Sequence, residues 1–542
     1  MKKLIIAVAV AVVTATAAHA YAADFYAGGD MTEVNYIEDL GGVYKDFADK
    51  PVDVFEFLAE NGMNMARIRL SNTTGKGTGD SVYYLPEEYQ DEADCLDLSK
   101  RAHDAGMEIQ FTFNYSDYWS NGSRQIIPSE WVKAIKDDLG YDVKDPAFLK
   151  SMTEAQITQI RAKLGDLVYE YTKDIMTKLK NQGTVPKYVS LGNEINGGMF
   201  FPFANTFDAN MNSKRFELVY NNDVDEANDI KCYKNWKALA DILNRGYDAV
   251  KEVSDESQVV IHIANEDGMK ESVCTWFIGS YIQAGGKVDV IGTSYYPSWT
   301  RAPIENCVSF CQNMSKLYDK DILIMETGYN WDPKKKNGYD GQLNHNAPGY
   351  EEKYPYTQEG QKAYLSDLFD KLQNVEGTRC VGAIYWDPCM IHVEDPDNPN
   401  ESLSGWAYRE SDDKPDGNVV ENTTLFDFDG KAVLAVEAFR TTIKEDPGKD
   451  DPGEDNPQKP ELTGTYTDDT DKIIATVNNG LSEDKKVNLY VAGYDESGAL
   501  KSVKIDSKEV TAGSEATLQI DKPDGTYRVF LWNGENFAPI IK

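Results

Sequence analysis

The chain has 542 residues with 90 acidic and 55 basic side chains, a formal charge of −35, which argues strongly against nucleic acid or an anionic membrane surface as a partner. A neutral polymer is compatible with that charge, and an aromatic content of 11% that includes 9 Trp suits a large core as well as flat rings that stack on sugars. Seven cysteines without repeated Cys-x-x-Cys spacing argue against a zinc module and, being odd in number, cannot all pair; none of the 5 histidines stands in a His-Glu-x-x-His arrangement, which removes support for metalloprotease chemistry.

In chain order, Lys2-Lys3, an apolar run from Leu4 and the small-x-small pattern Ala18-His19-Ala20 predict a signal peptide over residues 1–20. The run is short for a bilayer span, no later stretch is long and apolar enough to cross a membrane, and the leader holds no cysteine for a lipid anchor. The expectation is a secreted protein, extracellular or periplasmic. Residues 21–444 alternate short β runs with helical patterns, which predicts an α/β fold of the (β/α)8 TIM-barrel type. The runs are Phe25–Gly28, Asn64–Leu70, Glu108–Phe113, Tyr188–Leu191, Val259–Ile263, Val288–Ile291, Ile322–Met325 and Val381–Tyr385. Between the first two, Val52–Glu60 sets Val54, Phe55 and Leu58 on one helical face and stops at Asn61-Gly62. Cys307 and Cys311, four apart in a later helical stretch, suit neighbours on one face better than a relaxed disulfide.

Residues 445–460 are acidic and proline-rich, cannot bury a core and read as an extended linker. Beyond them, 461–542 alternate in the strand manner, with Val487, Leu489 and Val491 on one face and turn signals at Asp495–Gly498 and Lys522–Gly525. This predicts a small all-β sandwich, similar to the immunoglobulin-like modules that follow catalytic domains in secreted bacterial enzymes. Its single tryptophan, Trp532, favours a spacer over a carbohydrate-binding role.

Two strand ends carry the chemistry. Val189-Ser190-Leu191-Gly192-Asn193-Glu194 and Ile322-Leu323-Ile324-Met325-Glu326 are apolar approaches that each deliver a carboxylate where a barrel keeps its catalytic residues. Two glutamates so presented suit acid/base work, and glycoside cleavage needs one carboxyl protonated to expel the leaving oxygen and one ionised to attack the anomeric carbon. Arg67 and Arg69, two apart on a strand, share a face. If that face is the barrel interior they need anionic partners, and Glu326 is the obvious candidate.

The order Gly192-Asn193-Glu194-Ile195, Ser294-Tyr295-Tyr296-Pro297, Met325-Glu326-Thr327 and Tyr385-Trp386 resembles the clan A barrel glycosidases. With Gly29-Asp30, Arg67-Ile68-Arg69, Tyr115-Ser116-Asp117 and Tyr296-Pro297-Ser298-Trp299, the resemblance narrows to glycoside hydrolase family 53, the arabinogalactan endo-β-1,4-galactanases, over nearly the whole barrel. It implies Glu194 as proton donor, Glu326 as nucleophile, retention of configuration, and internal cleavage of β-1,4-galactan, a neutral plant polysaccharide. The carboxyl groups are then expected about 5–5.5 Å apart. It further implies that Asn193 meets the 2-hydroxyl, that Tyr296 orients the nucleophile, Tyr295 being structural, and that Trp386 floors the subsite of the distorted sugar. Arg67, Arg69, Asn114, Asp117, Trp119 and Trp299 complete the expected substrate-binding set, with Trp131 and Trp331 as further stacking candidates. Open alternatives are a clan relative acting on mannan or xylan, and a barrel that binds carbohydrate without cutting it.

Two positions depart from the family pattern. Asn114 stands where the family usually has His, and Phe200-Phe201-Pro202 where it has Leu-Trp-Pro, so substrate preference and pH profile are the properties in question. Hydrolysis by two carboxylates requires no cofactor. Some bacterial members hold a structural calcium, and Glu394–Asn400 offers hard oxygen ligands for one; the same stretch also reads as a solvated acidic loop, and no metal ligand is assigned.

Overall fold

Each of the eight predicted β runs forms a strand. They are β1 (Tyr26–Asp30), β2 (Met65–Leu70), β3 (Glu108–Phe113), β4 (Tyr188–Leu191), β5 (Gln258–Ile263), β6 (Val290–Ser294), β7 (Asp321–Thr327) and β8 (Cys380–Tyr385). All pair in parallel and close into one barrel, with β8 returning to β1 through Tyr26↔Gly382 and Gly29↔Tyr385. The closure is tight: a Cβ on Gly382 would stand 2.4 Å from Tyr26 O, so no larger residue fits there. The structure is a computed structural model that describes residues 25–78, 82–122, 124–210, 231–232, 234–265, 268–343, 349–442, 462–468, 471–481, 483–494, 500–523 and 526–533. The predicted signal peptide and linker lie outside those residues.

Parallel strands are buried on both faces, which is why they read as apolar runs rather than as alternation. Tyr26, Met65, Tyr188, Val260, Val290, Leu323 and Val381 form a core inside the barrel. The alternate residues, such as Ile68, Val189, Ile261 and Ile324, pack outward in a larger core shared with the helices. The crossover helices are α1 (Val54–Glu60), α2 (Glu92–Asp104), α3 (Glu154–Asn181), α4 (Trp236–Val253), α5 (Glu271–Gln283), α6 (Ile304–Tyr318) and α7 (Gln358–Asn374). Helix α1 starts two residues later than its pattern suggested because the Asp53 side chain accepts from Glu56 N–H as an N-cap. A Thr153/Gln156 capping box starts α3. Among the described residues no α-helix follows β8; a 3-10 segment, Leu434–Thr442, takes that place and packs Phe439 on Phe369 of α7. Cys307 and Cys311 lie on α6 as expected, both buried and unbridged.

Among its described residues the carboxyl-terminal unit holds six antiparallel strands in two sheets of three: β9 (Leu462–Asp468), β10 (Lys472–Asn479) and β13 (Glu515–Asp521) in one, β11 (Lys485–Tyr494), β12 (Leu500–Val510) and β14 (Thr526–Asn533) in the other. Ile473, Ala475 and Val477 from the first meet Val487, Leu489 and Val491 from the second in a shared core, so the period-two pattern did mark the buried face. No described helix is long and apolar enough to cross a membrane.

Candidate active site

Strict alternation along β7 would send Glu326 outward, since Met325 before it belongs to the barrel interior. The register shifts there instead: Thr293 pairs with Ile324 but Ser294 with Glu326, and on the other side Ile324 pairs with Ala383 but Thr327 with Tyr385. This irregularity re-aims the carboxylate inward. Glu326 Oε1 accepts from Arg67 Nη1 at 2.7 Å and Oε2 from Tyr296 Oη at 3.0 Å. Glu326 is buried, and Arg67 has no exposed surface. Burial first, and the charge of Glu326 second, push the Tyr296 phenol well above its ordinary pKa, so it stays a donor.

Glu194 reaches the same place by a different route. Gly192 at φ +89° and Glu194 itself at φ 46°, ψ 52° turn the chain sharply off β4. A left-handed conformation at a non-glycine costs about 1–2 kcal/mol, and here it places a half-buried carboxylate beside a buried one. One oxygen each of Glu194 and Glu326, with a His262 ring nitrogen, lie within 4.8 Å of one another. Ser294 Oγ is 2.7 Å from Glu194 Oε1 and 2.9 Å from His262 Nε2. Asn193 Oδ1 receives Arg67 Nη2 at 2.6 Å and sits 3.0 Å from His262 Nδ1, while its Nδ2 donates to Ser120 O at 2.8 Å.

Arg69, which shares a face with Arg67, serves other acids. It donates to Asp30 Oδ2 at 2.9 Å and to Glu33, and lies 3.7 Å from Asp387 Oδ1. Three buried carboxyl groups around one guanidinium are short of positive charge. Burial, partly offset by Arg69, raises the Glu33 pKa to about 7, and burial with Glu33 as neighbour raises that of Asp387 well above the usual range. The Asp30, Glu33 and Asp387 oxygens are close enough to hold a metal ion, but the guanidinium already supplies the cation there. The acidic stretch Glu394–Asn400 lies in a hairpin between Glu394–Asp395 and Asn398–Ser402. Among the described residues its carboxylates do not gather as a group of three.

These groups border a cavity of about 1140 Å³, above the range of about 300–1,000 Å³ common for small-molecule sites and roomy enough for several sugar units. Of the predicted residues, Arg69, Asn114, Trp119, Asn193, Glu194, Tyr296, Trp299, Glu326 and Trp386 line it. Arg67 does not: it lies behind Glu326 and Asn193 and bonds both, so it acts through them instead of on a ligand. Asp117 does not either; its carboxylate accepts from Ser129 N–H at 2.7 Å at the start of a helix. Trp131 packs on Tyr115 and Phe200, and Trp331 on Phe428, so neither is a platform. Phe200 and Phe201 are fully buried, and that departure from the family pattern falls in packing, while Asn114 donates to Ser71 Oγ at 3.3 Å on the cavity wall. Tyr295 is structural as expected, donating to Ala302 O.

Sequence reading missed Glu33, Phe207, Trp276, Trp406 and Gln342, which also line the wall, and His262 and Asp387 just behind it. Only His262 carried a local signal, because it stands at an inward position of β5, between Ile261 and Ile263 of the outer core. Trp406 meets Trp386 edge-on at 6.2 Å and donates to Asp387 Oδ2 at 2.6 Å; Trp276 stacks on Phe207 at 4.8 Å.

A closed parallel barrel thus carries Asn-Glu beyond its fourth strand and a second glutamate on its seventh, side by side at an aromatic cavity. Comparison with known proteins narrows the class. The chain belongs to glycosyl hydrolase family 53, which matches residues 26–165 and 159–439. It is 29% identical over 401 residues to an arabinogalactan endo-beta-1,4-galactanase of Cellvibrio japonicus (strain Ueda107), covering 72% of this chain and 88% of that protein. It is 26% identical to an endo-beta-1,4-galactanase of Bacillus subtilis (strain 168), covering 77% and 86%. Among solved structures, the family 53 catalytic domain of Ignisphaera aggregans superposes with a TM-score of 0.58 at 24% identity, over 78% of this chain and 97% of that one. A fungal beta-1,4-galactanase does so with 0.54 at 23% identity, over 77% and 98%. Both share the barrel.

Proposed function

We propose that the protein is a secreted, retaining endo-β-1,4-galactanase that cuts the galactan side chains of pectic polysaccharide, with Glu326 as nucleophile and Glu194 as acid and base. The observation that carries this reading is one short carboxyl separation with two unlike surroundings. Retaining enzymes keep their carboxyl groups about 5–5.5 Å apart, whereas inverting enzymes need about 6.5–9.5 Å to admit a water; one oxygen of each lying within 4.8 Å of the other favours the closer arrangement. Glu326, held by a guanidinium and a phenol, suits the anion that attacks the anomeric carbon. The C–O bond to the leaving sugar breaks as Glu194 delivers its proton to that oxygen, and a glycosyl ester forms on Glu326. Glu194, now ionised, takes a proton from water, whose oxygen displaces Glu326 and returns both groups to their starting states. Arg67 holds Glu326 and Asn193 in register, and Trp386 offers the reacting sugar an apolar floor. The named relatives support galactan as substrate, and the amino-terminal pattern supports export. The reaction requires no cofactor.

Reducing-sugar release from β-1,4-galactan, with mannan and xylan alongside, tests this. Galactan alone is cut to short oligosaccharides, the first product keeps the β configuration by NMR, and Glu194→Gln and Glu326→Gln each lose on the order of 10⁴-fold or more. Preference for another glycan overturns the substrate; inversion overturns the assignment of Glu326.

A further inference from the structure

We propose that Ser294 and His262 are positioning residues that hold a proton on Glu194 Oε1 before each turnover. This rests on the acid role given to Glu194 above and adds how that role is set. Asn193 fixes the direction of the chain. Its Nδ2 donates to a carbonyl and its Oδ1 accepts from Arg67 Nη2, so turning the amide round would set an N–H against a guanidinium. His262 Nδ1, 3.0 Å from that same oxygen, therefore carries a hydrogen. A second hydrogen on Nε2 would put an imidazolium in a fully buried position beside Arg67, and burial first, that guanidinium second, drive the His262 pKa well below its ordinary value. The ring is neutral, and its bare Nε2 faces Ser294 Oγ at 2.9 Å.

Ser294 has one hydrogen and gives it to Nε2. Its oxygen is left as an acceptor 2.7 Å from Glu194 Oε1, and a protonated Glu194 completes the run of hydrogen bonds from Glu194 through Ser294 and His262 to Asn193. An ionised Glu194 pulls the serine hydrogen to itself and leaves Nε2 without a donor. The opposite neutral tautomer of His262 sets two lone pairs face to face at Nδ1 and Asn193 Oδ1. Other charged groups border the same cavity, Arg301 on its wall among them. Glu326 from β7, within 4.8 Å, disfavours a second anion; Arg67 from β2 is paired with Glu326; Arg69 and Glu33 on the cavity wall are paired with each other; the Tyr296 phenol stays neutral. Once the proton has left for the substrate, rotation of one hydroxyl lets Ser294 donate to the new carboxylate, so the relay serves the base step as well.

The test is kcat/KM for galactan against pH in Ser294→Ala, Ser294→Thr and His262→Leu. The alkaline limb, where Glu194 loses its proton, is expected to move down by about one pH unit in Ser294→Ala and His262→Leu, roughly a tenfold loss on that limb, and to return in Ser294→Thr. A serine that simply donates to an ionised Glu194 predicts the reverse: its removal moves the limb up. An upward shift, or none, overturns the relay. Ser294→Ala removes a single oxygen and is the arm to read should His262→Leu not fold. Activity retained by Glu194→Gln would instead overturn the acid assignment itself, so the two failures are distinguishable.

Discussion

Arg67 and Arg69 stand two residues apart on one strand and face the same barrel interior, yet they live in opposite electrostatic settings. Arg67 has one close carboxylate, Glu326, with the Asn193 amide as its second partner and Asp30 farther off at 3.5 Å. Arg69 is shared by Asp30, Glu33 and Asp387. The first setting is balanced and holds a reacting anion in place; the second is deficient in positive charge and keeps protons on buried acids near neutral pH. Residue type and strand position therefore do not decide an arginine's work. What decides it is how many acids the loops bring to it.

The largest effect expected is from Arg67→Met. It strands Glu326 and releases Asn193, so stability falls by about 3–5 kcal/mol, the usual result of breaking a buried pair, and galactan hydrolysis is lost at every pH; near-normal kcat in a folded variant would break the comparison. Arg69→Met comes next. It costs about 3 kcal/mol or more at pH 8 but regains much of this by pH 5, because Glu33 and Asp387 can take up protons once their partner is gone; urea melts at the two pH values would show it, and equal losses at both would count against the charge-deficient reading. Trp386→Ala removes the ring that lies 4.6 Å from the Arg69 guanidinium and lines the cavity. A fall in kcat/KM of roughly 10²-fold, about 2–3 kcal/mol, is expected, carried at least partly by kcat if the ring supports the distorted sugar.

The smallest effect is from Glu33→Gln. Because the folded-state pKa of Glu33 is raised to about 7, its protonated form contributes stability that is complete below its unfolded pKa and lost as pH rises through about 7. The Gln variant therefore gains on the wild type by about 1–2 kcal/mol between pH 5 and 8, readable as a flatter dependence of Tm on pH. Parallel curves would mean that Glu33 is ionised throughout.

Much of this was legible along the chain. The eight strands are buried on both faces and so write themselves as continuous apolar runs, and each glutamate follows such a run directly. The inward pairing of Arg67 and Arg69 follows from a period of two. The boundaries were less secure: β6 begins at Val290, two residues after the start of the apolar run that predicted it. Asp117, Trp131 and Trp331, expected at the substrate site, do not line the cavity, because a polar or aromatic residue after a strand looks the same whether it lines a cavity or seals a core.

What the sequence by itself determined is the barrel, the all-β unit after it and the order of the two glutamates, since hydrophobic periodicity and strand-end position are local properties. What only the tertiary structure decided is the direction in which those glutamates point and the company they keep. Glu326 turns inward through a register shift that needs β6 and β8 as neighbours, Glu194 turns on a strained left-handed bend, and Trp276 arrives on α5 and Trp406, Glu33 and Asp387 on loops, all distant in sequence. Such contacts are fixed by packing between elements, and no spacing within one element encodes them.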